Sequence, residues 1–214
     1  MKNKKKFKRY ISYFLCFVMG MATYPITEQF YGYYKSRQTY KEAKINSNKY
    51  EHWITLSNLE QIDYPIAYGE GNSFHILHDI DGNPNLSGSI YFEESQEPYD
   101  NTTSILYGHS MKDGSMFQGL HKYKKDNKLF RDSVLTLRNG DVSTDYKPLG
   151  IYVTNNDWIQ NKIDNMSVED AVNLIKERAD YALDVEYTED SHIITLYTCE
   201  YTEPGNRLLV FYIN

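Results

Sequence analysis

The sequence predicts a mainly β fold, either a barrel or a sandwich, built as one domain. From Trp53 onward, nine apolar runs of five to eight residues alternate with breaks rich in Gly, Asn, Asp and Pro. The 21 tyrosines favour strands, and an apolar content of 41% in 214 residues is enough for one good-sized core. The predicted strands are HWITL, IDYPIAY, FHILHDI, GSIYFE, SILYGH, SVLTL, PLGIYV, HIITLYTC and RLLVFYI.

Three segments are predicted to be helical. Residues 27–48 are polar and tyrosine-rich and form an N-terminal helical segment, and residues 115–130 form a short helix. Residues 167–182 carry the strongest signal, because Ser167 and Asp170 have the spacing of a capping box. An apolar stripe follows at helical spacing and consists of Val168, Ala171, Val172, Ile175 and Ala179. This long helix is inserted between the late strands.

Charge is distributed unevenly along the chain. The formal net charge is −6, but residues 1–9 hold six of the 23 basic residues and no acidic one. The rest carries 17 basic and 29 acidic residues, a net charge of −12. Such an acidic domain is poorly suited to nucleic-acid phosphates, so nucleic acid is excluded as a partner.

Residues 10–26 form an uncharged stretch of 17 residues behind the basic head. This pattern predicts a transmembrane signal-anchor with residues 1–9 in the cytoplasm, a single pass through the lipid bilayer of the cell membrane, and an extracellular remainder. The alternative is a cleaved signal peptide, for which Gly20-Met21-Ala22 is a weak cleavage site.

The segment HILHDIDGNPN invites a metal-site interpretation that its spacing contradicts. A calcium loop would need glycine where Pro84 stands and a carboxylate where Ile90 stands. His75 and His78 point to opposite sides of a predicted strand. A hairpin turn explains the segment better, and neither a metal nor another cofactor is predicted.

Cys199 is the only cysteine outside residues 10–26, where Cys16 lies. A lone thiol in an exported domain is a reactive group, a partner in an intermolecular disulfide, or a small buried hydrophobe. A phosphatase loop is excluded, because seven residues rather than five separate Cys199 from Arg207, and Glu200 and Glu203 would repel a phosphate dianion.

Acyl transfer needs a thiolate, a histidine that moves protons, and a donor for the developing oxyanion. His109 is the best-placed histidine, since it ends an apolar strand after a glycine and would lie at a barrel rim. His52, His121 and His192 have polar neighbours and are interpreted as surface residues.

These segments resemble the sortase family. TLYTC followed by Arg207 is similar to the sortase signature, and NTTSILYGHSMKDGSMF is similar to the histidine segment of class B sortases. The resemblance extends back through HWITLSNLEQIDYPIAYGEGNSFHILHDIDGNPNLSGSIYF and covers residues 49–214. It implies an eight-stranded sortase-type β-barrel as the catalytic domain.

The resemblance also implies roles for particular residues. Cys199 would be the nucleophile, His109 the general acid and base, and Arg207 the group that positions the substrate and stabilises the oxyanion, with help from the Glu200 amide. The implied substrate-binding residues are Tyr107, Tyr197, Thr198, Glu200, Thr154, Trp158, Ile159, Asn72 and Ile76. Class B members commonly have serine at the position of Tyr197, so this tyrosine would narrow the pocket or alter specificity.

The implied activity is that of a cysteine transpeptidase of a Gram-positive cell surface. It would cleave a C-terminal sorting motif, of an NPxTx-like kind, in surface proteins and transfer them to a peptidoglycan precursor amine. Three alternatives stay open: a pilin-polymerising sortase, a secreted cysteine hydrolase, and a non-catalytic surface-binding module with Cys199 as core filler. A papain-like hydrolase fits less well, because papain-type chains place the cysteine before the histidine.

Overall fold

The computed structural model describes residues 13, 27–93, 98–99, 102–155, 163, 166–202 and 205–214, and in this part of the chain nine strands form one mixed sheet. The strands are β1 (His52–Leu56), β2 (Asp63–Ala67), β3 (Ile90–Phe92), β4 (Thr103–Tyr107), β5 (Leu135–Asn139), β6 (Val142–Thr154), β7 (Tyr181–Ala182), β8 (Ile193–Cys199) and β9 (Arg207–Ile213). Their order is β5-β1-β2-β3-β4-β8-β9-β6-β7, and β5 also pairs with β6. Eight strands therefore close a barrel, as predicted, and β7 extends it beside β6.

The two late apolar runs form β8 and β9, which are covered on both faces. Ile194, Leu196 and Val210 point into the barrel core, whereas Ile193, Leu209 and Phe211 pack in a second cluster under a helix. Side chains of a strand alternate between its two faces, so a strand buried on both sides has no polar alternation. This is why both segments are continuously apolar.

Helices surround the barrel. Those with bounds in the described residues are α1 (27–45), a 3-10 helix (Ser47–Lys49), α2 (Asn72–His75), a 3-10 helix (Phe117–Lys122), α3 (Asn127–Arg131) and α4 (Val168–Arg178). The predicted cap of α4 is confirmed, because the Ser167 side chain accepts a hydrogen bond from the Asp170 N–H. The helix ends at Arg178 rather than at residue 182, since Tyr181 and Ala182 pair with β6.

Two predicted elements are wrong in detail. Residues 74–80 do not form a strand: α2 covers the first two, and the Asp79 carboxylate then accepts the N–H groups of Asp81 and Asn83 in a turn. The helix predicted over 115–130 is divided, because Asp126 leaves the helical conformation and caps α3 by accepting the Leu129 N–H at 2.9 Å.

The predicted single-pass membrane localisation is contradicted. Among the residues that the structure describes, no helix is long and apolar enough to cross a bilayer. Apart from Tyr13, the predicted anchor over residues 10–26 lies outside the described residues.

Candidate active site

Cys199, His109 and Arg207 line one surface pocket of about 260 Å³. The Cys199 thiol is free and half-buried. All three residues lie at the ends of barrel strands or just beyond them. The remaining lining residues are Ile76, Tyr91, Tyr107, Gly108, Tyr197 and Thr198.

Cys199 and Arg207 are brought together by the β8–β9 hairpin, in which they are direct register partners. Residues opposite each other in an antiparallel pair have Cβ atoms about 5 Å apart. The Arg207 guanidinium is held over the turn, because Nη1 donates to the carbonyl oxygens of Gly205 at 3.0 Å and Asn206 at 3.1 Å. On the other side of β9, Thr154 pairs with Arg207.

His109 reaches the same rim because β4 and β8 are parallel and in register. Tyr107 pairs with Tyr197, so His109 and Cys199 each lie two residues beyond one register pair. The link continues past the strand end: the Gly108 N–H donates to the Tyr197 carbonyl at 3.1 Å, and the Thr198 hydroxyl donates to the Gly108 carbonyl at 2.7 Å. A parallel pair of strands thus sets the distance between imidazole and thiol.

Gly108 is required by the close approach of an aromatic ring. A Cβ at this position would lie 2.6 Å from the Phe117 ring, which is fully buried and cannot move aside. The glycine noted before His109 in the sequence therefore serves packing. It lets the chain pass over Phe117 and place His109 at the rim.

The ring orientation of His109 is set by α2 and the residues that follow it. Nε2 lies 2.9 Å from the Ile76 carbonyl oxygen, which can only accept, so Nε2 carries the proton. In the neutral ring, Nδ1 is then the basic nitrogen. Ile76 thereby contributes to the site through its backbone as well as through the pocket wall.

Three tyrosines form an aromatic wall of the pocket. The rings of Tyr91 and Tyr107 stack with centroids 5.4 Å apart, and Tyr197 meets Tyr107 edge-on at 4.9 Å. Burial raises the pKa of Tyr91 to about 12 and, with a hydrogen bond to Glu93, raises the pKa of Tyr107 still further. The wall is therefore uncharged at neutral pH. Tyr91 is a site residue that sequence reasoning missed, because the run IYF has the pattern of any buried strand and does not indicate a pocket.

The other predicted substrate-binding residues do not all line the pocket. Thr154 is buried next to Arg207, and Asn72 lies outside the pocket lining, where its side-chain amide donates to Glu93. Trp158 and Ile159 lie outside the described residues. Tyr197, as predicted from the two-residue period of a strand, shares the pocket with Cys199.

Glu200 differs from the predicted arrangement. Its backbone N–H donates to the Asn206 carbonyl at 3.0 Å across the hairpin and is not presented to the pocket. Its side chain turns away from Cys199 and is 4% exposed, where it accepts from Thr202 and pairs with Lys124 at 2.9 Å. The predicted contribution of this amide to an oxyanion site is therefore wrong for this conformation, because the hairpin uses it.

The Glu200 carboxylate is a strong stabilising charge. Burial raises its pKa, but hydrogen bonds from Thr202 and Lys124 outweigh burial, so the pKa falls from its ordinary value to about 2. A depressed pKa stabilises the fold above the unfolded-state pKa of about 4.5, and this contribution is lost as the pH falls from there towards about 2.

We expect Glu200→Gln to cost on the order of 2 kcal/mol of unfolding free energy at pH 7, with the difference from the parent narrowing by pH 3. Urea unfolding at pH 7, 4.5 and 3 measures this. Asp184→Asn is the control, because Asp184 pairs with Lys176 at a fully exposed position and its loss should leave stability unchanged. Parallel pH curves for the Glu200 variant and the parent would contradict the assignment.

The histidines interpreted as surface residues are more buried than expected. His192 is 8% exposed and lies between Ser104 Oγ at 3.0 Å and Tyr146 Oη at 3.2 Å. Burial lowers its pKa to about 4. His52 and His121 are half-buried. Polar sequence neighbours misled the interpretation: alternate residues of β1 face opposite ways around His52, and the burial of His121 and His192 is decided by tertiary contacts.

Comparison with known proteins agrees with this geometry. The family model of the sortase domain matches residues 55–212. Sortase B of Listeria monocytogenes is 31% identical over 153 residues, which cover 69% of this chain and 61% of that protein, less than two thirds of its length. Sortase B of Staphylococcus aureus is 27% identical over 164 residues, covering 74% of this chain and 67% of that protein.

A solved structure extends the match to the fold. The crystal structure of sortase B from Bacillus anthracis is 26% identical, with a TM-score of 0.71, and the superposition covers 86% of this chain and 98% of that one. The residues matched by the family model, 55–212, include Cys199, Arg207 and His109. The chain therefore belongs to the sortase family, and within it to class B.

Proposed function

We propose that the protein is a cysteine transpeptidase that joins surface proteins to a cell-wall amine. The donor would be a protein with a C-terminal sorting motif of the NPxTx kind, and the acceptor an amine of a peptidoglycan precursor. One observation carries the proposal: a free, half-buried thiol shares an open pocket with an imidazole and a guanidinium. That set of groups is what acyl transfer through a thioester requires.

In the first half-reaction, the Cys199 sulfur attacks the threonyl carbonyl carbon of the motif. The S–C bond forms, the scissile C–N bond breaks, and the proton from the thiol is delivered by His109 to the leaving amine. Nδ1 of His109 is the nitrogen suited to this transfer, because Nε2 is occupied by the Ile76 carbonyl. The product is a thioacyl enzyme.

In the second half-reaction, the acceptor amine attacks the thioester carbon. The N–C bond forms and the S–C bond breaks, while His109 takes a proton from the amine and returns it to the sulfur. Arg207 stabilises the oxyanion in both halves, since it lines the same pocket as Cys199 and is its direct register partner. The Glu200 amide has no part in this scheme, because it is bonded to Asn206.

The donor peptide would lie along the tyrosine wall. Tyr91, Tyr107 and Tyr197 offer flat, uncharged faces to a proline-containing motif, and Ile76 adds an apolar side chain to the same pocket. Thr154, Trp158 and Ile159 are proposed as further contacts on the resemblance to class B sortases. Tyr197 occupies space that a serine would leave open, so we expect this chain to select a slimmer residue next to the scissile bond.

The deciding experiment separates transfer from hydrolysis. An NPxTx-like peptide is incubated with the protein alone, with an oligoglycine amine, and with a lysine-containing peptide, and the products are identified by mass. We expect an oligoglycine adduct to dominate by about tenfold over the hydrolysed acid. Predominant acid in all three mixtures would indicate a hydrolase, and a dominant lysine adduct would indicate a polymerising enzyme.

A further inference from the structure

A second pocket of about 260 Å³ lies behind the catalytic strand ends. Ser110, which follows His109, and Glu200, which follows Cys199, both line it. The other lining residues are Gln118, His121, Lys124, Lys125, Tyr201 and Thr202. Each catalytic segment thus presents one residue to the substrate pocket and its neighbour to this rear pocket.

His121 bridges these two neighbouring residues. Its Nε2 lies 3.0 Å from the Ser110 hydroxyl, and its Nδ1 lies 3.6 Å from a Glu200 carboxylate oxygen. Burial lowers the pKa of His121, while Glu200 and a hydrogen bond with the Cys199 backbone oppose that shift. A neutral ring has one acceptor and one donor, so Nε2 accepts from Ser110 and Nδ1–H faces Glu200.

Other contacts hold the same segments from the same side. The Tyr201 hydroxyl donates to the Ser110 carbonyl, and the Tyr201 ring lies over His121 with centroids 6.3 Å apart and planes 20° from parallel. Lys124 lies in the turn after the 3-10 helix Phe117–Lys122 and pairs with the buried Glu200. The negative charge of Glu200 is thus balanced by Lys124, and the contacts within the cluster hold its side chains in place.

We propose that His121 is a positioning residue, whose hydrogen bond with Ser110 and contacts with the Cys199 backbone and the Glu200 carboxylate fix the spacing between the Cys199 and His109 segments. The inference rests on the proposed function. The pairing of β4 with β8 ends at Tyr107 and Tyr197 and is followed by the hydrogen bond from the Gly108 N–H to the Tyr197 carbonyl. His121 connects the two segments at Ser110 and Glu200, one residue past His109 and Cys199, where the pairing of β4 with β8 has ended. A misplacement of about 1 Å between reacting groups can cost about 10²-fold in rate.

The test compares His121→Ala, His121→Gln and His192→Gln. His192 is the control, because both of its ring nitrogens also have side-chain partners, the hydroxyls of Ser104 and Tyr146, but it lies away from the pocket. We expect His121→Ala to lower kcat for oligoglycine transfer by about 10- to 100-fold with KM changed less than about threefold. Glutamine offers one acceptor and one donor and should restore at least about a third of the lost rate. The control should stay within about twofold of the parent.

A second readout does not depend on the sorting substrate. Each variant is made in a Cys16→Ser background, so that Cys199 is its only thiol. The rate of iodoacetamide alkylation at Cys199 is then measured against pH for folded samples. We expect the profile of His121→Ala to differ from the parent and that of His192→Gln to match it. If the parent transfers no acyl group, the proposed function fails, and the alkylation profiles still decide the positioning role.

Two results would overturn the inference. One is a folded His121→Ala protein with parental kcat and a parental alkylation profile. The other is an equal loss of rate in His121→Ala and the His192→Gln control, which would show that the loss comes from a general loss of stability and not from the position of His121. Melting temperatures of all variants establish that the compared samples are folded.

Discussion

Replacing Cys199 by alanine is expected to abolish acyl transfer while the barrel stays intact. The sulfur is the only described thiol, and its attack is the bond-forming step of the proposed reaction. Loss of a nucleophile in comparable covalent enzymes lowers kcat by far more than 10³-fold, and we expect at least about 10⁴-fold here. Because the side chain is half-buried and its removal leaves no sealed cavity, the unfolding free energy should change by less than about 1 kcal/mol.

The measurement is single-turnover cleavage of the NPxTx-like peptide, with thioacyl enzyme followed by intact mass. The parent should gain the mass of the acyl fragment, and Cys199→Ala should not. Retained cleavage in the variant would remove the covalent mechanism. Alkylation in a Cys16→Ser background addresses the remaining alternative, since an inert Cys199 would favour a non-catalytic module.

Replacing Arg207 by lysine is expected to lower kcat by about 10²- to 10³-fold. The guanidinium donates through Nη1 to the carbonyls of Gly205 and Asn206, and Arg207 lines the pocket. A lysine ammonium is a point charge on a flexible stem and does not reproduce that fork. Lysine keeps the positive charge, so the loss of kcat measures the geometry of the guanidinium rather than its electrostatic attraction.

Arg138→Lys is the matched control for this substitution. Arg138 also lies on a strand and donates to backbone carbonyls, those of Ser47 and Tyr50, but it packs over Trp53 away from the pocket. Steady-state kinetics of both variants should show a kcat effect only for Arg207. Parental kcat in Arg207→Lys would argue against an orienting arginine and would leave oxyanion stabilisation to another donor.

Much of the site was predictable because local sequence determines where a strand ends. The apolar runs before Cys199 and His109 predicted strands, and Arg207 begins the next one. Glu200 shows where this reasoning stops. Its amide was expected to face the substrate, but a hairpin partner seven positions from Cys199 along the chain, Asn206, takes that hydrogen bond.

The sequence by itself determined the barrel strands, the cap of α4 and the identity of the three reactive side chains, because periodicity, capping and residue chemistry are local properties. Only the tertiary structure decided that Tyr91 joins the pocket wall and that His121 lies behind the catalytic pair. The position of Tyr91 depends on register between strands distant in sequence, and a shift of one residue would reverse the face on which its side chain lies. The position of His121 depends on the packing of the 3-10 helix Phe117–Lys122 against segments that are distant in sequence.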